Sequence, residues 1–238
     1  MARSYQVVLT GVEADLAAGR LSVGSKLPAE RTLADQYQVS RASVREAVRI
    51  LEALGMVRTA VGSGPDAGAT ITAEPAAPIG AALRWHLASR HLPVADIVGA
   101  RVLIESWAVA NAADPARHAD LDSAAVLLAA MDREELTPGQ FLALDAEFHV
   151  ALAACAGNAV IAAIMTAMRT GIETYVTEAL GRITDWPAMA DRLRAEHRQI
   201  LAAVADGASE SAAALVTDHI EGFYRSAGMS PQPPGRQS

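Results

Sequence analysis

Cysteine is almost missing from this chain: Cys155 is the only one in 238 residues. No intrachain disulfide can form and no four-cysteine zinc site can exist, so the expected setting is a reducing one. Also missing is any apolar run near the roughly 18 residues needed to span a bilayer. The opening MARSYQVVLT holds no apolar h-region, so no secretory leader is read there; the expectation is a cytoplasmic protein without a membrane partner. Hydrophobic residues still make up 51% of the sequence, ample for a helical core in one large domain or two modest ones.

A surplus of positive charge is lacking too, since the net charge is -7. Counted by halves, however, residues 1–75 carry eight Lys/Arg against eight Asp/Glu, and the remainder carries 12 against 19. The acidity therefore belongs to the C-terminal part. Between Lys26 and Arg49, five basic residues (Lys26, Arg31, Arg41, Arg45, Arg49) face three acidic ones (Glu30, Asp35, Glu46), so positive charge gathers where it could meet phosphates.

The chain changes grammar midway. From Tyr5 to about Ile71 there are short helical segments, turn signals and a Gly-rich tract, VGSGPDAGATI, between two β-capable pieces, Met56 to Thr59 and Ala69 to Thr72. This predicts a small hairpin after helices. The segment TAEPAAP (Thr72 to Pro78) reads as a linker. From Ile79 to about Ala227, Ala and Leu recur at helical spacing, punctuated by Pro93, Pro115, Pro138, Gly157 and Pro187, and strand signals are absent. The expected fold is mainly α. It has a winged helix-turn-helix over 1–75, an all-α bundle of six or seven helices over 76–228, and a disordered tail over 229–238.

Within the first region, Leu33, Ala34 and Tyr37 form an inward stripe after Pro28, which suits a helix start. Gln38 and Val39 make a turn and Ser40 can cap the next helix. There Val44, Ala47, Val48, Leu51 and Leu54 recur at three- and four-residue steps. Arg41, Arg45 and Arg49 recur every four residues on a different face. Such a stripe is by default only a solvated face. The turn, the cap, the preceding helix and a following glycine hairpin turn the reading towards a helix offered to the DNA major groove, where Arg bonds guanine edges or grips phosphates. Gly62 and Gly64 at the hairpin tip would allow close approach to a DNA backbone.

At LPAERTLADQYQVSRASVREAVRILEALGMV, preceded by Gly-Arg-Leu and followed by a Gly-Ser-Gly wing, the sequence resembles the DNA-binding domain of the GntR family of bacterial regulators over roughly residues 10–72. The resemblance implies operator contacts from Arg31, Arg41 and Arg45 and from Ser40, whereas Arg49 falls at a variable position. The inserted PDAG makes this wing longer than the family's usual hairpin.

In the second region the informative residues are ionisable groups in apolar helices. Asp145 and His149 stand four apart in LDAEFHVAL and so share a helix face, a spacing at which both can bind one divalent metal; a surface or capping pair is the plainer alternative. His197 and His219 sit in separate expected helices. If the bundle brings these helices together, one Asp and three His converge in a mixed N/O set that suits zinc foremost, with nickel, manganese or iron also accommodated. Cys155 is expected to be a small buried hydrophobe, and Asn158 to mark a helix boundary.

The order R-x-x-x-E (Arg101, Glu105), D-x-x-F-H with A-x-x-G-N (Asp145 to Asn158), E-H-R-x-I and a late D-H resembles the FCD effector-binding domain of the FadR subfamily, over roughly residues 79–226. That resemblance implies a metal on Asp145, His149, His197 and His219, and beside it a small carboxylate effector such as lactate, pyruvate, citrate or a sugar acid. Arg101 is the candidate second anchor for that acid, since guanidinium can pair both carboxylate oxygens; an ordinary i, i+4 pair with Glu105 is the alternative. The expected protein is a homodimeric regulator, not an enzyme, reading an inverted repeat of double-stranded operator DNA under control of the acid. A regulator for which the ion itself is the signal, and a metal-dependent hydrolase, are the rival readings. Against the hydrolase, no convincing separate general base is in view.

Overall fold

The computed structural model describes residues 3–60, 62, 68–89, 92–117 and 119–228, without the side chains of 170–175, 178 and 179. Gly64 and the tail 229–238, both singled out from sequence, lie outside the described residues. The fold is mainly α, and the chain divides into two compact units, Met1–Pro78 and Ile79–Ser238.

The first unit is a winged helix-turn-helix. It runs α1 (Ser4–Ala17), α2 (Glu30–Tyr37), α3 (Arg41–Ala53), β1 (Val57–Ala60) and β2 (Gly68–Ile71). The strands pair antiparallel, Val57 opposite Ile71 and Ala60 opposite Gly68. The other edge of β2 takes the segment before α2: Leu27 N–H donates to Ala69 O at 2.8 Å, and Ile71 N–H to Ser25 O at 2.9 Å. That pairing keeps the chain extended, so α2 begins only at Glu30 and Pro28 precedes the helix rather than opening it. Gln38 takes the left-handed conformation (φ 54°, ψ 46°) that reverses the chain, and Ser40 Oγ accepts from Ser43 N–H at 3.1 Å, capping α3. Val8, Val12, Leu33, Val44, Ala47, Leu51 and Ile71 form the core. Leu54, expected on that stripe, is 53% exposed, because α3 ends at Ala53 and the chain turns away at Gly55. Gly55 has φ +69°, and a Cβ there would sit 2.2 Å from Glu74 O, so glycine is required twice over.

The second unit contains most of α4 (Ala76–Ala88), then α5 (Val94–Ala112), a 3-10 turn (Pro115–Arg117), α6 (Asp122–Met131), α7 (Pro138–Cys155), α8 (Ala159–Leu180), α9 (Trp186–Ala205) and α10 (Ser209–Ser226). The helix α4 starts inside the expected linker, with Pro78 in its first turn, where a missing N–H is tolerated. The punctuation seen in sequence marks real ends. Pro93 precedes α5, Thr137 and Pro138 open α7, and Asn158 Oδ1 accepts from Val160 and Ile161 N–H at the start of α8. Helix α10 packs most extensively along α5, α7 lies against α5, α6 and α8, and α9 joins α10 and α6. The core is therefore reached by one face each of α5, α7, α9 and α10, and those faces carry the ionisable residues. Cys155 is half-buried rather than buried, its thiol donating to Asp120 O at 3.0 Å.

Candidate functional site

Helices α9 and α10 each show a buried stripe, Leu193, His197, Ile200 and Val204 on one, Ala212, Val216, His219, Ile220 and Phe223 on the other. On each stripe one apolar position is replaced by a histidine. His149 of α7 is equally interior, at 2% exposure, and His197 is fully buried. Phe148 packs on the His197 ring at 4.8 Å between centroids. Three imidazoles in an apolar core need partners, and they find one another. His219 Nε2 lies 3.1 Å from His149 Nε2 and 3.3 Å from His197 Nε2, while Asp145 Oδ1 is 3.0 Å from His197 Nε2 and 3.9 Å from His149 Nε2. All four donor atoms lie within 4.8 Å of one another.

The outward nitrogens decide how this cluster is read. His149 Nδ1 lies 2.5 Å from Glu105 Oε2 of α5, and His219 Nδ1 lies 2.8 Å from Glu196 Oε2 of α9. A carboxylate at Nδ1 holds the proton there and turns the Nε2 lone pair inward. The lone pairs of His149 and His219 then face each other at hydrogen-bond distance with no proton between them, an arrangement a cation would relieve. Bonds of ~2.0–2.1 Å to one ion place neighbouring donors ~3.0–3.4 Å apart, the separation found for three of these pairs. The donor set fits a divalent metal. His197 Nδ1 has no hydrogen-bond partner among the described residues, and the close His149 Nδ1–Glu105 Oε2 pair is an ion-pair contact without hydrogen-bond alignment.

Electrostatics agree with a neutral imidazole at His219 and ionised carboxylates at Asp145 and Glu105. Burial pulls the His219 imidazole down to about 4, against the upward pull of Glu196, so it is neutral near pH 7. Burial raises the Glu105 carboxyl, but the charge of Arg101 beside it outweighs the burial, leaving it at about 2. Asp145 is likewise held below the usual carboxylate range, its burial outweighed by the His197 hydrogen bond.

Arg101 is not a free anchor. It is buried, its Nε donates to Glu105 Oε1 at 2.7 Å, and Nη1 reaches Tyr224 Oη at 3.4 Å. The i, i+4 pair is thus formed, and it also braces the carboxylate behind His149. Arg101, Asp145 and His149 line one side of a cavity of about 410 Å³ whose other described walls are Leu142, Ala143, Ala146 and Val150 of α7 and Met165, Arg169, Val176, Thr177 and Leu180 of α8. Sequence reading missed Glu196 and Arg169 as site residues. It quoted Glu105 only as a partner of Arg101. Glu196 was quoted only as the first residue of E-H-R-x-I, and its role was not read because the histidine it orients is on another helix.

In the first unit, Arg31, Arg41, Arg45 and Arg49 are all exposed, with Ser40 exposed at the head of α3. Arg45 Nε makes one long contact, 4.0 Å to the exposed Glu30. No hydrogen bond or ion pair engages Arg31, Arg41 or Arg49 among the described residues. Gly62 is exposed with φ +147°. This face of α3 is solvated and uncommitted, its opposite face locked by Val44, Ala47 and Leu51.

Comparison with known proteins finds two signatures side by side. The FCD domain matches residues 96–222, and the family of bacterial regulatory proteins called gntR matches residues 4–65. The HTH-type transcriptional regulator LutR of Bacillus subtilis is 30% identical over 207 residues, covering 85% of this chain and 91% of that one. The Glc operon transcriptional activator of Escherichia coli is 24% identical over 221 residues, 90% of this chain and 85% of its own. Among solved structures, Streptococcus agalactiae GntR shares the fold with a TM-score of 0.67 at 23% identity, over 94% of this chain and all of that one.

Proposed function

The chain belongs to the gntR family of bacterial regulators and carries an FCD domain; from that premise we propose that it is an operator-binding protein governed by a small carboxylate bound beside a divalent metal. That it is a DNA-binding transcriptional regulator follows from the family, and the relatives it matches are regulators rather than hydrolases. No helix among the described residues is long and apolar enough to cross a membrane. In this reading the protein works in the cytoplasm.

Two copies related by a two-fold axis would present α3 to the half-sites of an inverted repeat. Arg41, Arg45 and Arg31 take base edges or phosphates, Ser40 and the wing at Gly62 and Gly64 meet the backbone, and Arg49 contributes less. In the helical unit, Asp145, His149, His197 and His219 would hold zinc or a similar ion, whose bound form supplies an electrophilic centre for a carboxylate. Glu105 and Glu196 keep two of the histidines in the ligating tautomer. Arg101, its charge balanced by Glu105 and its Nη1 on Tyr224, offers the acid only the remaining guanidinium edge.

The observation that carries this reading is the convergence of three Nε2 atoms and one carboxylate oxygen in a buried core beside a cavity. A ligand can control the operator only by binding two arrangements of the dimer with different free energies. The test measures affinity for an operator duplex, selected from a random library, under three conditions: chelator, zinc, and zinc with organic acids. A shift that requires both zinc and an acid supports the proposal. If zinc alone gives the full shift, the ion is the signal; if neither changes affinity, the helical unit has no regulatory ligand of this kind.

A further inference from the structure

The cavity beside the metal-ligand cluster says more about the acid than that it is an acid. Resting on the carboxylate reading above, we infer that the effector is a monocarboxylate with a largely apolar body, rather than a polyhydroxy acid or a di- or tricarboxylate.

The first ground is charge. With neutral histidines, a divalent ion on Asp145 leaves one net positive charge among the ligands. The other described ionised groups around it cancel in pairs: Glu105 with Arg101 at 2.7 Å, Glu196 with Arg192 at 3.4 Å, and Glu147 with Arg169 at 3.0 Å. The side chains of His149, His197, Glu105 and Arg101 are each at most 8% exposed, so the residual charge is poorly hydrated. One carboxylate neutralises it. A second would find no uncommitted cation among the described lining residues, and unpaired charge in such a place is costly.

The second ground is the wall. Beyond the polar end, Leu142, Ala146, Val150, Met165, Val176 and Leu180 line the space. Of the polar side chains described there, Arg169 already serves Glu147 and Thr177 is engaged as well. Hydroxyls of a sugar acid would be buried against these walls, each unpaired one weakening binding roughly 5- to 150-fold. The third ground is size. About 410 Å³ lies within the ~300–1,000 Å³ range of pockets that enclose drug-sized ligands, well beyond what a three-carbon acid fills.

The experiment titrates the zinc-loaded full chain, zinc in excess, with the straight-chain acids from acetate to octanoate and with lactate, gluconate, succinate and citrate, reading both calorimetric affinity and thermal midpoint. Affinity should rise about 4-fold per methylene until the cavity is full, and hexanoate should outbind every polar acid. In Val150→Phe, which narrows the cavity, the best chain should become shorter while acetate binding is kept. A series flat in chain length, or gluconate or citrate binding tighter than hexanoate, overturns the inference and leaves a carboxylate effector in place. If zinc raises the midpoint but no acid adds to it, the carboxylate reading fails as well.

Discussion

The two units spend their charges in opposite ways. In the winged unit, the guanidinium groups of Arg31, Arg41, Arg45 and Arg49 stand in solvent and one carboxylate, Asp15, is drawn inward. In the helical unit, Arg101, Glu105, His149, His197 and His219 are buried and bonded to one another. An exposed cation costs the fold little and stays available to a partner, whereas a buried set persists only while each member compensates the next. The first surface can therefore be dissected residue by residue without harming the fold. The second is a unit in which any ligand that binds would raise stability through the same contacts.

The largest effect should come from His197→Ala, which breaks this contrast at its strongest point. The ring is fully buried, faces His219 and Asp145, and packs on Phe148. Loss of an outer-sphere partner costs ~10- to 100-fold in metal affinity, so loss of a ligand should exceed 100-fold, above ~2.7 kcal/mol. The readout is the zinc-induced rise in thermal midpoint. It should vanish in the variant, and a rise equal to that of the unaltered protein would exclude His197 as a ligand. A smaller effect on the other side of the comparison is expected from Arg45→Ala. It should weaken operator binding by roughly 1–3 kcal/mol and relax base preference. Stability should move by no more than about 0.5 kcal/mol, because among the described residues the side chain makes just one ion pair, a long, solvated one to Glu30. Unchanged affinity and selectivity in a binding titration would remove Arg45 from the interface.

The same contrast explains what could be read from residues alone. The operator-reading unit was legible because its determinants are local: the Ser40 cap, the left-handed Gln38, and the three- and four-residue steps of Val44, Ala47 and Leu51 lie in one stretch of chain. Helix ends of the second unit were legible for the same reason, at Thr137, Pro138 and Asn158. Asp145 and His149 could be paired from spacing. Their meeting with His197 and His219 depends on how α7, α9 and α10 pack, which periodicity does not encode, and only family resemblance anticipated it. Glu196 was seen only as part of E-H-R-x-I and its role was hidden, since its partner His219 is 23 residues away on another helix. The expectation that failed for Leu54 is instructive too: the stripe predicts burial only as far as the helix that carries it.

The smallest predicted effect concerns Asp15, the exception to the winged unit's solvated charge. Its Oδ1 takes Arg20 at 2.6 Å, and its Oδ2 accepts from Tyr37 Oη at 2.9 Å and Gln36 Nε2 at 3.2 Å, tying the end of α1 to the end of α2. Gly11 makes this possible, because a Cβ there would sit 2.2 Å from the Tyr37 ring. The Arg20 and Tyr37 hydrogen bonds outweigh partial burial and hold the Asp15 carboxyl below its ordinary value of 3.8, so its contribution is present above that value and fades as pH falls through the lowered one. Burial, with Asp15 beside it, pushes the Tyr37 phenol up to about 12; that contribution is complete below its ordinary value of 10.0 and fades as pH rises through about 12. Amide hydrogen exchange over residues 11–37 should therefore be slowest, after correction for intrinsic rates, between about pH 4 and 10. In Asp15→Asn the acid-side loss of protection should flatten, with the overall protection lower at pH 7. Tryptophan fluorescence, which reports only the helical unit through Trp85, Trp107 and Trp186, should not change. An acid limb that survives unaltered in Asp15→Asn would mean that some other carboxylate governs how the recognition helix is held.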